Sequence, residues 1–101
     1  MIKSTICEED DRMVMYFEGW LDTSEVKKAK KEMGPLFECS DRQIVLDLSG
    51  LKYICSGGLR LFIELLKDGR TKGNTLTLTG LSPYITKVFD ETGFTRLFKI
   101  V

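Results

Sequence analysis

The chain holds no histidine, and that absence removes more chemistry than any other feature of its 101 residues. Without an imidazole there is no Ser-His-Asp or Cys-His arrangement and no histidine general acid or base. Zinc sites built on Cys and His go with it. The three cysteines, Cys7, Cys39 and Cys55, are odd in number, widely spaced and free of any CxxC pair. Net charge is missing too, because fifteen basic residues balance fifteen acidic ones. A general nucleic-acid binder carries a basic excess, so the balance argues against that role and against attraction to an anionic membrane. Neither GxxxxGK[ST] nor GxGxxG occurs, so no nucleotide loop is expected and no cofactor is implied. Apolar runs are too short to cross a bilayer. The opening Met1-Ile2-Lys3-Ser4-Thr5-Ile6-Cys7-Glu8 turns acidic before an apolar segment can form, against a secretory signal. Few unpaired cysteines suit a reducing compartment, and the expectation is a soluble cytoplasmic protein.

What is present reads as one small domain spanning residues 1–101. The hydrophobic fraction is 43% and the charged fraction 30%, enough of each for a packed core and a wet surface. Only two prolines occur, and no Pro-, Gly- or Ser-rich stretch divides the chain. Residues 2–7 and 12–19 predict two strands joined by the polar turn Glu8-Glu9-Asp10-Asp11, with Met13, Met15 and Phe17 on one face. Asp22-Thr23-Ser24-Glu25 predicts a helix start with capping-box spacing. Val26, Ala29, Met33 and Phe37 supply its apolar face, and Lys27, Lys28, Lys30 and Lys31 its solvated side. Gly34-Pro35 should bend or end that helix.

Residues 43–48 predict a central strand, apolar on both parities and so expected to be buried on both faces. Ser49-Gly50 reads as a turn and 51–55 as a short link. A second helix is expected from Ser56 to about Asp68, with Leu59, Phe62, Ile63 and Leu66 inward. Thr75-Leu76-Thr77-Leu78-Thr79 alternates strictly and predicts a strand buried on one face. Ser82-Pro83 predicts a third helix with a hydroxyl cap and proline at its first position; Ile85, Val88 and Phe89 face inward and Gly93 ends it. Residues 97–101 can form a last strand. The order β-β-α-β-α-β-α-β is that of a small α/β fold, a mixed sheet with parallel crossovers and packed helices.

The chemistry concentrates in Ile54-Cys55-Ser56-Gly57-Gly58-Leu59-Arg60, where the chain leaves the central strand and opens a helix. Free N–H groups and the positive end of the helix dipole gather there, and the glycines allow close approach. Ser56 has two readings: the N-cap of the helix, or a hydroxyl that receives a phosphate favoured by that terminus. Cys55 also has two: a structural, half-buried thiol, or a nucleophile with Arg60 clamping an anion, as in sulfurtransferase cysteine loops. The protein tyrosine phosphatase spacing needs one more residue between Cys and Arg and is not met.

Three stretches carry a resemblance to the STAS domain family of anti-sigma factor antagonists and sulphate-transporter tails. The first is Ile44-Val45-Leu46-Asp47-Leu48-Ser49-Gly50-Leu51 with Tyr53-Ile54-Cys55-Ser56-Gly57-Gly58-Leu59. The second is Leu81-Ser82-Pro83-Tyr84-Ile85 through Phe89 to Thr92-Gly93-Phe94. The third is Phe17-Glu18-Gly19-Trp20-Leu21-Asp22. They span nearly the whole chain, in order. The resemblance implies a bacterial anti-sigma factor antagonist rather than an enzyme. Its partner would be an anti-sigma factor that is also a serine kinase with a histidine-kinase-like ATP fold. It implies phosphorylation at Ser56 and a contact surface of Asp22, Thr23, Cys55, Ser56, Gly57 and Gly58, with Asp22 near the phosphoacceptor. Two positions depart from the family: Cys55 stands for its Asp and Gly57 for its second Ser. They keep open an unphosphorylated, constitutive subunit, such as the STAS component of a phospholipid-transport assembly. A Cys55-based anion-binding enzyme is the remote alternative. Oligomeric state is left open.

Overall fold

The computed structural model describes residues 1–101. Five strands form one sheet in the order β1-β2-β3-β4-β5: β1 (Ile2–Glu9), β2 (Arg12–Leu21), β3 (Gln43–Ile54), β4 (Thr75–Thr79) and β5 (Lys99–Ile100). β1 and β2 are an antiparallel hairpin turning through Asp10, which sits at φ 38°. Every later neighbour is parallel, which requires a crossover each time. Those crossovers carry α1 (Val26–Glu32) with α2 (Gly34–Glu38), then α3 (Ser56–Thr71), then α4 (Pro83–Thr92). The mixed sheet with packed helices is the fold class expected from the sequence.

Side chains of one parity, with the helix faces, build a single core. Met13, Met15 and Phe17 of β2, Ile44, Leu46 and Leu48 of β3, and Leu76 and Leu78 of β4 meet Ala29, Met33 and Leu36 of α1 and α2. Leu59, Phe62, Leu65, Ile85 and Phe89 complete it from α3 and α4. Phe17 and Phe62 sit 5.7 Å apart in a tilted pair. The opposite parity carries Tyr16, Glu18, Val45, Asp47, Thr77 and Lys99, all at least partly exposed, and Val14, which is buried. The expected two-sided burial of β3 is therefore corrected. All the helices cover one face, and Val45 and Asp47 look out from the other.

Three further expectations change. Ser49-Gly50 is no turn, because β3 runs unbroken to Ile54. Against β2 it carries extra residues: Tyr16 pairs with Asp47 but Glu18 with Gly50, and Gly19 pairs with Leu51 but Trp20 with Tyr53. Bulges absorb the polar dipeptide without ending the strand. Gly34-Pro35 ends the first helix as expected, and α2 begins there with proline in its first turn, where a missing N–H is tolerated. α3 continues to Thr71 and buries Leu61 and Leu65, while Ile63 and Leu66 are only partly covered. Gly69 lies inside it, giving room for Asn74, whose N–H donates to the Gly69 carbonyl at 2.8 Å. The last strand shrinks to two residues because Phe94–Arg96 is a 3-10 turn. α4 matches its sequence reading closely. Ser82 Oγ accepts from Ile85 N–H at 3.2 Å, Pro83 leads, and Gly93 ends the helix at φ 78°.

Candidate functional site

The C-terminal ends of β2 and β3 deliver the two segments of the site. Leu21 and Ile54 are register partners, and Cys55 N–H donates to the Leu21 carbonyl at 2.9 Å. The chain beyond β2 (Asp22 onward) and the chain beyond β3 (Cys55 onward) therefore leave side by side. A Cβ on Gly57 would lie 3.2 Å from Val26 Cγ2, so the start of α3 is packed against the start of α1. One on Gly58 would lie 2.8 Å from Leu21 Cδ2, so α3 sits tightly on β2 at this point. Crossover topology, rather than proximity in sequence, brings Asp22 and Thr23 to Ser56.

Within this patch the capping roles are redistributed. Cys55, not Ser56, is the N-cap of α3. Its backbone is extended (φ −88°, ψ 172°), and Sγ accepts from Gly58 N–H at 3.4 Å. Ser56 is the first helical residue; it is exposed, and its hydroxyl makes no hydrogen bond in the chain. The expected N-cap role of Ser56 is thus corrected, one position along. The physical reason is geometric: only the residue with extended backbone before the first turn can fold its side chain back over the turn's N–H groups. With Gly58 N–H taken, those of Ser56 and Gly57 remain at the terminus.

The capping box at Asp22–Glu25 does not form either. Thr23–Glu25 is a 3-10 turn, and Asp22 Oδ1 accepts from Ser24 Oγ at 2.7 Å instead of from the backbone. The Glu25 carboxylate turns to the Met1 amine, 3.6 Å away. Among the expected contact residues, Thr23 and Ser56 are exposed, and Asp22 and Gly57 half-buried. Cys55 and Gly58 are buried, so they shape the patch from below rather than line it. The Cys55–Arg60 clamp is not assembled: Sγ faces its own helix, and exposed Arg60 makes no hydrogen bond or ion pair. The Lys27, Lys28, Lys30 and Lys31 set is exposed as expected, with Lys28 Nζ donating to the Ile2 carbonyl and Lys30 paired to Glu64, each at 3.0 Å. Sequence reading missed the aromatic side chains left in water at this end of the sheet, Trp20, Tyr53 and Tyr84. Their signal was aromatic residues at the last positions of strands and the first turn of a helix, where a core has no room for them.

The fold is thus a small mixed sheet covered by helices on one face, with an exposed serine hydroxyl at the first position of α3. The chain belongs to the STAS domain family, whose model matches residues 4–101. BtrV of Bordetella bronchiseptica is 28% identical over 99 residues, covering 98% of this chain and 85% of BtrV. The anti-sigma-B factor antagonist of Staphylococcus aureus is 29% identical over 82 residues, covering 81% of this chain and 76% of that protein. The solved structure of the Bacillus anti-sigma factor antagonist SpoIIAA in its unphosphorylated form superposes with a TM-score of 0.79 at 17% identity, covering 98% of this chain and 88% of that one. The phosphorylated form gives 0.73 at 16%, covering 98% and 91%. No helix is long and apolar enough to cross a membrane.

Proposed function

We propose that this chain, acting as one domain over residues 1–101, is an anti-sigma factor antagonist of the bacterial cytoplasm. It binds an anti-sigma factor that is also a serine kinase with a histidine-kinase-like ATP fold, and phosphorylation of Ser56 releases it. The observation that carries the reading is the free Ser56 hydroxyl, exposed at the first position of α3 and beside the Asp22 segment. The S. aureus relative supports the antagonist role by name, and a fold neighbour solved both with and without phosphate supports the cycle.

The chemistry is consistent at each step. A phosphate on Ser56 adds about −1.5 to −2 charge and three acceptor oxygens. Its own terminus tolerates them, since the N–H groups of Ser56 and Gly57 and the helix dipole face that way. A partner pressed against the same spot has to desolvate the new charge beside Asp22, and the complex opens. Cys55 in place of the family's Asp leaves this geometry intact, because the thiol still caps the helix.

The test has two parts. Incubation with the cognate kinase and ATP should add one phosphate by intact mass, mapped to Ser56 and absent from Ser56→Ala. Ser56→Asp should bind the unloaded kinase at least about tenfold more weakly than Ser56→Ala. Steady binding with no phosphate, and equal affinity of the two variants, would instead make the chain a constitutive subunit. Cys55 and Gly57 are the residues that favour that second reading.

A further inference from the structure

Three large aromatic side chains outside the core gather at the end of the sheet that bears Ser56. Trp20 is the penultimate residue of β2 and 54% exposed, Tyr53 the penultimate residue of β3 at 37%, and Tyr84 the second residue of α4 at 47%. Trp20 and Tyr53 are partners across adjacent parallel strands. The Tyr53 and Tyr84 rings stack, with centroids 6.4 Å apart and 23° between their planes. The three form one band, and it adjoins the switch: Tyr53 lies three residues before Ser56, and Trp20 two before Asp22. Beside the band, the β2–β3 bulges open a cleft of about 500 Å³ lined by Tyr16, Trp20, Glu18, Asp47 and Lys52, among others. The exposed Glu18 carboxylate makes no hydrogen bond or ion pair in the chain. Asp47 commits Oδ1 to the N–H and hydroxyl of Ser49, at 3.0 and 2.6 Å, and leaves Oδ2 free.

We propose that this band and its acidic cleft are the affinity-determining part of the docking surface for the anti-sigma factor, and that the cleft receives an arginine-bearing segment of that partner. This rests on the function proposed above. Clustered aromatics in water mark interaction surfaces, and Trp and Tyr dominate the hot spots of interfaces. Arginine fits the cleft on two counts: its planar guanidinium stacks on aromatic faces and pairs with carboxylates. Two carboxylates outnumber the one ammonium there. The labour is then divided: the band holds the partner, and Ser56 decides whether it may stay.

The kinase-type anti-sigma factors of the source genome are purified and each titrated with the wild-type chain. The one that binds is then titrated with Trp20→Ala, Tyr84→Ala, Glu18→Lys, Ser56→Ala and Ser56→Asp. Trp20→Ala is expected to weaken binding about tenfold or more, and Tyr84→Ala and Glu18→Lys about three- to tenfold. All three should keep the wild-type melting midpoint, since these side chains lie outside the core. Because Trp20 is the only tryptophan, 5-fluorotryptophan labelling gives one fluorine resonance, which should shift on adding the partner. Wild-type affinity in Trp20→Ala with an unmoved resonance, while Ser56→Asp still weakens binding, overturns the docking band and leaves the proposed function standing. No binding by the wild-type chain, or no difference between the two Ser56 variants, overturns both. A change in sedimentation on Trp20→Ala without a change in partner affinity assigns the band to self-association and overturns the proposal.

Discussion

Cys55 holds α3 with a weak instrument. A thiol sulfur is a poor hydrogen-bond acceptor, and its bond to Gly58 N–H is long at 3.4 Å. A carboxylate at the same position would accept more strongly and add favourable charge at the helix terminus. Cys55→Asp should therefore raise the unfolding free energy by about 1 kcal/mol, seen as a higher urea midpoint at unchanged slope; a lower midpoint would show that burying the carboxylate outweighs the cap. Three positions along, the constraint is volume. Alanine at Gly58 would set its methyl 2.8 Å from Leu21 Cδ2 and 2.9 Å from Ile54 Cγ1. Gly58→Ala should cost about 1–3 kcal/mol. At Gly57 the only close neighbour is a Val26 methyl at 3.2 Å, so Gly57→Ala should cost less than Gly58→Ala in the same denaturation series.

Helix α4 and helix α3 show how differently two elements are written into a sequence. The determinants of α4 are local: a capping serine, a leading proline, apolar residues at helical spacing and a glycine in the left-handed region. Ser82→Ala should lose about 1 kcal/mol by removing the bond to Ile85 N–H. Gly93→Ala should lose about 1–2 kcal/mol from its positive φ alone, since nothing lies within 4 Å of the added methyl. Chemical denaturation of the two single variants and the double should give nearly additive losses. α3 was only partly legible, because its last turn and its buried face are decided by what it meets. The sequence ends the helix near Asp68, yet it runs on to Thr71, where Asn74 N–H donates to the Gly69 carbonyl, and Leu65 joins the common core. β3 was misread for the same reason: Ser49-Gly50 looks like a turn alone and becomes a bulge only beside β2. At the candidate site, Ser56 and Asp22 are singled out by their resemblance to a family pattern. The identity of the cap was not, since Cys and Ser both fit and only the backbone angle at Cys55 separates them.

Across the whole molecule, stability rests on one core pressed against one face of the sheet. Phe62 lies at its centre, fully buried against Phe17. Phe62→Ala should cost about 3–5 kcal/mol, a large share of the roughly 5–15 kcal/mol that a domain possesses. Circular dichroism should show melting far below that of the wild-type chain, and a small loss would mean the helices can close over the gap. The uncovered face contributes little to this total, so substitutions at Thr77 or Lys99 should be nearly silent. The arrangement also separates signal from scaffold. The bond that fastens α3 belongs to Cys55, while the hydroxyl open to modification belongs to Ser56 and fastens nothing. A chemical change at that hydroxyl breaks no contact of the fold. On the proposed switch, a phosphorylated chain should therefore keep its native structure and its melting midpoint, so that removal of the phosphate, rather than turnover of the protein, would end the signal.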